Sequence, residues 1–206
     1  MARYTGPKNR IARRFGVNLF EKGRNPMRNR QNPPGVHGAK KKKKSDFGAQ
    51  LEEKQKLKAV YGMLLEHTLV RYYREAIRRE GQTPNELMGQ LESRLDVLVY
   101  RLKFASSIFH AQQLVSHRHF LVDGKIVNIR SFQVKPGMKI TLREKSHNNE
   151  LIKKSLANTA KDVPEYLSLD AASFSGTLVS VPQMDQISLV MPINVPLVCE
   201  FLAHTT

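Results

Sequence analysis

Along residues 93–145 the spacing of apolar positions changes from helical to alternating, and that change outlines a small module. Leu95, Leu98, Val99 and Leu102 stand at i, i+3, i+4 and i+7, one face of a helix, which leaves Arg94 and Arg101 on another. Ser93 and Asp96 are placed to cap its first turn. A second short helix is expected from near Ser106 through Ala111, Leu114 and Val115, ending at the polar loop Ser116-His117-Arg118-His119. The period then drops to two. Phe120-Leu121-Val122 and Lys125-Ile126-Val127 flank Asp123-Gly124, a pair that accepts positive φ and favours a tight hairpin. Lys135-Pro136-Gly137 makes the next turn, after which Ile140 and Leu142 fall on the buried side of an alternating run.

Upstream, Leu51, Leu57, Val60, Tyr61, Leu64 and Leu65 supply an apolar stripe. A following helix over Thr68 to Glu80 turns Leu69, Tyr72, Ala76 and Ile77 inwards and stops at Gly81. Thr83, Pro84 and Glu86 provide the cap, first-turn proline and capping carboxylate of a third helix that carries Leu87 and Leu91. Downstream, Leu151, Ile152 and Leu156 mark a helix that Val163-Pro164 ends. The tail offers β-prone pieces at 176–181, 187–191 and 197–201, separated by Pro182, Pro192 and Pro196. Such pieces are too short to stand alone, so they predict a return onto the helical lobe.

The predicted class is therefore α+β. Residues 1–45 form an extended arm, punctuated by Gly6-Pro7, Gly16, Gly23, Pro26 and Pro33-Pro34-Gly35. Residues 46–92 form a mainly helical lobe, completed by short strands in 159–206, and 93–158 is an inserted module of two helices and a small sheet.

Charge adds a function class to this layout. The 206 residues carry a formal +16, which points to a polyanion, either nucleic acid or an acidic membrane surface. Residues 1–45 hold +13 and residues 94–145 hold +7, while the remainder sums to −4. The basicity thus belongs to the arm and the module. No apolar run reaches transmembrane length, and Met1-Ala2-Arg3-Tyr4 opens a basic segment without a signal-peptide core, so export is not expected. Cys199 has no partner for an internal disulfide, and its apolar surroundings suit a small buried side chain in a reducing compartment better than a nucleophile.

In the arm, Arg10, Arg13 and Arg14 can share one short helical face beside Arg3 and Lys8, and Tyr4 can anchor the arm or stack on bases. Lys40, Lys41, Lys42, Lys43 and Lys44 read as a solvated tail, a nuclear-import signal or a phosphate-tracking arm that orders on RNA. Beside a second basic region the last reading is the expected one. In the lobe, Lys54, Lys56, Lys58 and Arg71 either face RNA or lie on solvated faces paired with Glu52, Glu53, Glu66 and Glu75. In the module the candidates are Arg94, Arg101, Gln113, His117, Arg118 and His119, expected to project near the helix ends towards an irregular RNA surface.

The order of elements, with Arg94-Leu95-Asp96 opening one helix, QLVSH closing the next, then FLVDGKIVN and VKPGMKI, resembles the RNA-binding domain named after bacterial ribosomal protein S-four. MARYTGPKNRIARRFG, NPPGVHGAKKKKKSDFGAQLEEKQKLKAVYG, LESRLDVLVYRL and REKS extend the likeness over nearly the whole chain. On these motifs the chain resembles the bacterial small-subunit ribosomal protein S-four family. The resemblance implies a structural constituent of the small subunit of cytoplasmic ribosomes. It implies early binding to the 5′ domain of 16S rRNA, nucleation of the 30S body, and contacts with ribosomal protein S-five and other 30S proteins. It also implies a contribution to translational accuracy beside mRNA at the entry channel, with no membrane, small-molecule substrate or cofactor.

Some members of the family carry a four-cysteine zinc knuckle in the arm. This arm has no cysteine, so no metal is expected. The edge from Val190 to Glu200 has no Lys or Arg, and its apolar residues either pack in the chain's own core or meet a neighbour. The resemblance implies S-five at Val190, Met191, Ile193, Asn194 and Val195, although the family's acidic Asp-Ile-Asn-Glu pattern is replaced here by Pro192-Ile193-Asn194-Val195. Pseudouridine synthases join the same module to a catalytic Gly-Arg-Leu-Asp motif that Arg94-Leu95-Asp96 echoes. Here the Thr-x-Gly that should follow is absent and the chain is too short for that fold, so no enzyme is expected. The alternative outside the ribosome is a free RNA-binding stress or ribosome-rescue factor, a class that carries the module without this arm and lobe.

Overall fold

Helix and strand order follow the predicted change of period, and the tail departs from it. In the computed structural model, which describes residues 4–20, 25–28, 30–40, 43–158 and 162–205, the elements in order are α1 (Lys8–Phe15), α2 (Asp46–Val60), α3 (Glu66–Arg78), α4 (Thr83–Glu92), α5 (Leu95–Arg101), α6 (Ile108–Ser116), β1 (Phe120–Val122), β2 (Lys125–Ile126), β3 (Lys139–Leu142), α7 (Glu150–Leu156), β4 (Leu167–Asp170), β5 (Ser175–Leu178) and α8 (Val195–Thr205). They divide between two units, residues 1–84 with 189–206, and residues 85–188.

In the first unit α8 packs on α2 and α3. Residues 197–201, expected as a strand, lie inside this helix. The physical reason is local: Asn194 Oδ1 accepts the Leu197 N–H at 3.1 Å, a helix N-cap, and Pro196 falls in the first turn, where no N–H is required. Glu53 Oε2 accepts the Asn194 N–H at 2.9 Å and ties the start of α8 to α2. Val195, Val198, Phe201 and Leu202 are buried on α8, as are Leu57 on α2 and Leu69, Tyr72, Tyr73 and Ala76 on α3. Ile77, expected to point inwards, is exposed. The beginning of the arm is not extended: α1 interrupts it, and Ala12, Leu19 and Phe20 are buried.

The second unit holds a five-stranded antiparallel sheet in the order β2-β1-β3-β5-β4. Asp123 and Gly124, with φ of 48° and 78°, form the two-residue turn that pairs Val122 with Lys125. The tail's first β-prone piece joins this sheet through β5, which pairs with β3, instead of completing the helical lobe. Gly176 permits the close approach, since a Cβ there would meet Leu102 Cδ2 at 2.5 Å. Beneath the sheet Leu95, Leu98, Leu102, Phe104, Val115, Phe120, Ile140 and Leu178 form one buried cluster. The expected strand over 187–191 is absent, and a short 3-10 turn, Met184–Gln186, precedes that stretch.

Candidate nucleic-acid interface

Two arginines expected to face RNA are turned inwards. Arg94 precedes α5 and its guanidinium grips Asp96, with Nε to Oδ1 at 2.9 Å and Nη2 to Oδ2 at 2.7 Å. Their side chains are 5% and 0% exposed, so the pair belongs to the core. Asp96 also accepts the Val97 N–H and the Gln112 amide, which leaves the expected capping role of Ser93 unfilled: the Ser93 hydroxyl donates to Gly89 O at 2.7 Å. Arg101 does the same for Glu92, with Nε and Nη2 on its two oxygens at 3.1 and 2.8 Å. Its Nη1 donates to Ser188 O at 2.8 Å, and Tyr166 Oη donates to Glu92 Oε2 at 3.0 Å. Burial first, and then the Glu92 charge, push the Tyr166 phenol far up, so it acts purely as a donor. A buried carboxylate needs such partners, and Glu92 is fully buried.

The loop after α6 does face outwards. His119 N–H returns to Leu114 O at 3.2 Å and Arg118 N–H to Val115 O at 3.0 Å, the paired bonds of a Schellman cap. That cap requires a left-handed residue, and here it is Arg118 at φ 64° rather than glycine. A non-glycine residue costs about 1–2 kcal/mol there. The strained turn leaves His117 and Arg118 exposed and His119 half-buried, next to exposed Gln113. His119 Nδ1 lies 2.7 Å from the Ser146 hydroxyl, and the His117 and His119 ring centroids are 6.3 Å apart.

In the lobe, three predicted lysines have internal partners. Lys54 is buried, with Nζ 2.8 Å from Glu66 Oε1 and 4.2 Å from the centre of the Phe201 ring. Lys58 takes the other Glu66 oxygen at 2.6 Å, and Lys56 pairs with Glu53 at 2.5 Å. For Glu66, burial alone raises the carboxyl, and the two ammonium groups outweigh it and hold it below the usual carboxylate range. Arg71 is exposed over the Tyr72 ring. Arg74 and Arg78, absent from the predicted set, are exposed on the same helix. Their signal was available: 71, 74 and 78 stand at i, i+3 and i+7, one face of α3.

In the arm, Arg10, Arg14, Lys40, Lys43 and Lys44 are exposed, and Lys44 pairs with Glu52. Tyr4 and Lys8 are half-buried. Arg13 donates twice to Asn32 O, at 3.1 and 2.7 Å, and so folds the arm on itself. Arg3, Lys41 and Lys42 lie outside the described residues. At the C-terminal edge Val190 and Asn194 are exposed and Ile193 is half-buried, whereas Met191 and Val195 are buried, at 5% and 1% exposure.

Among the described residues no group of three or more His, Cys, Asp or Glu side chains could hold a metal ion, and no helix is long and apolar enough to cross a membrane. Cys199 is a buried free thiol, pushed up to about 11 by burial, which leaves no thiolate for chemistry near neutral pH.

Residues 3–92 match the family described as the ribosomal protein S4/S9 N-terminal domain, and residues 93–140 match the S4 domain. The chain is 60% identical over 206 residues to the small ribosomal subunit protein uS4 of Protochlamydia amoebophila, with all of both chains covered. It is 57% identical over 209 residues to the protein of the same name from Chlamydia muridarum and 56% identical to that from Chlamydia trachomatis serovar L2, again over the whole of each chain.

Proposed function

The chain belongs to the small ribosomal subunit protein uS4 family, a structural and non-enzymatic family, and from that premise we infer that it is a primary 16S rRNA-binding constituent of the 30S subunit. It binds the 5′ domain early, nucleates the body of the subunit, neighbours S-five through Val190, Ile193 and Asn194, and contributes to accuracy beside mRNA at the entry channel. The observation that carries this reading is the presence of both family domains, in order, along one chain that matches its relatives from end to end. The distribution of exposed cations supports it: Arg10, Arg14, Lys40 and Lys43 in the arm, Arg71, Arg74 and Arg78 on α3, and Arg118 beyond α6. Such cations release counterions when they meet phosphates, so affinity must fall with salt.

Filter binding of the purified chain to a 5′-domain fragment of 16S rRNA tests this. With about 6–10 phosphates neutralised, log K falls against log salt with a slope of roughly −4 to −9. A slope near −1, or equal affinity for an unrelated folded RNA, would overturn the assignment. Sedimentation adds an independent reading, because a structural constituent stays with 30S particles through a high-salt wash.

A further inference from the structure

Two histidines, His117 and His119, flank the turn where α6 gives way to β1. The His117 and His119 rings lie 6.3 Å apart, and His110, one helix length earlier on α6, is within electrostatic reach of His119. The other charges that act on His119 are His117 and the Arg143 guanidinium at the end of β3. Arg143 N–H donates to His119 O at 2.9 Å, so the two strands hold these groups in register. Arg118 sits between the two histidines in the strained turn, and the segment after β3 adds Glu144, Lys145 and His147. His147 is otherwise engaged: its Nε2 donates to Leu142 O at 3.0 Å and its ring stacks on Phe174 at 4.7 Å. The acid of that segment, Glu144, is exposed.

This arrangement has a definite electrostatic consequence. Burial pushes His110 and His119 below the usual imidazole range, and neighbouring cations add to the effect: His119 acting on His110, and His117 and Arg143 acting on His119. An anion placed against the cluster reverses the sign of the neighbouring field and favours the charged rings. We propose that His117 and His119, with His110 seven residues before His117 on α6, form a proton-linked phosphate site, at which the module takes up protons as an RNA phosphate docks beside Arg118. Affinity for RNA therefore rises as pH falls through the neutral range. The sign follows from linkage: protons are bound on association, so log K falls with rising pH between the imidazoles' free and bound titrations, with a slope equal to the number taken up. Below the free titration the rings are already charged and the dependence flattens.

The proposal rests on the RNA-binding reading above and is tested with the same 5′-domain RNA at constant ionic strength. Across pH 6.0–7.5 the native chain should lose about tenfold in affinity, an average uptake of roughly two-thirds of a proton. The triple variant His110→Gln/His117→Gln/His119→Gln should change by less than about twofold over that range, and the control His204→Gln, in the other unit, should behave as the native chain does. His119→Gln also removes the hydrogen bond with Ser146, so the single variant His117→Gln, at an exposed position, is measured beside it and should show a shallower slope. Imidazole resonances of the free and RNA-bound chain should titrate at higher pH in the complex. Specific binding with no pH dependence, or a dependence that survives in the triple variant, would overturn the proton linkage and leave the RNA reading standing. Absence of specific binding at every pH would overturn the RNA reading itself.

Discussion

Replacing Arg94 with methionine separates a structural arginine from an RNA-facing one. The guanidinium makes two charge-assisted bonds to Asp96, at 2.9 and 2.7 Å, and both side chains are almost wholly buried. With Arg94→Met the carboxylate keeps the Val97 N–H at 3.0 Å and the Gln112 amide at 3.3 Å, but loses its ion-pair partner. Breaking a buried pair on one side costs about 3–5 kcal/mol. With a urea m-value of about 2 kcal/mol per molar, the transition of this unit should move down by roughly 2 M, followed by circular dichroism. The double change Arg94→Met/Asp96→Leu removes the stranded charge as well, and should recover most of the loss. RNA binding by the folded fraction should keep its salt slope, because every phosphate-facing cation is still in place. Unchanged stability together with a slope shallower by about one would contradict a structural role and return Arg94 to the RNA surface.

Three further outcomes follow from the geometry. Arg118→Gly relieves the left-handed strain in the Schellman cap and should raise stability by about 1 kcal/mol in urea melts while weakening RNA binding; a destabilised variant would contradict the cap. Replacing Arg71, Arg74 and Arg78 together by glutamine should leave stability within about 0.5 kcal/mol and flatten the salt slope by up to roughly 0.9 for each phosphate no longer neutralised; an unchanged slope would remove α3 from the interface. Glu66 titrates below the usual carboxylate range, so its stabilisation is fully present above the unfolded carboxyl's pKa and is lost as pH falls through the folded value. The stability gap between the native chain and Glu66→Gln should therefore be open near neutral pH and close in acid melts; a constant gap would refute the role of the Lys54 and Lys58 bonds.

What was legible in the sequence was whatever depends on near neighbours. The 3.6-residue spacing of Leu95, Leu98, Val99 and Leu102 forms a helix wherever it packs, and Asp123-Gly124 turns the chain by backbone preference alone. The tail was legible only in part. Leu197 to Phe201 is β-prone by composition, yet Asn194 and Pro196 supply a helix start, and the cap outweighs the propensity of the residues behind it. The pairing of β5 with β3 joins residues 175–177 to 139–141 across an intervening helix, and no local pattern specifies that register. Gly176 was a trace of it, a strand glycine where a helix comes close.

The arginines show why charge counting overstates an interface. Positions 94 and 101 contribute to the module's excess of +7 by sequence, yet each is satisfied by a carboxylate that sits among apolar residues, Asp96 between Leu95 and Val97, and Glu92 beside Leu91. Those acids carried the missing information. A carboxylate within a buried apolar run must be neutralised or paired, and the nearest guanidinium able to meet it is thereby withdrawn from solvent. Arg118 is the opposite case: it lies in a turn without an acid among residues 116–119, and its side chain is exposed. The candidates for phosphate contact are the cations left after every buried acid has been assigned a partner. In this chain that accounting removes Arg94 and Arg101 from the candidates, Lys54 leaves them through its own burial beside Glu66, and the exposed Arg74 and Arg78 join them.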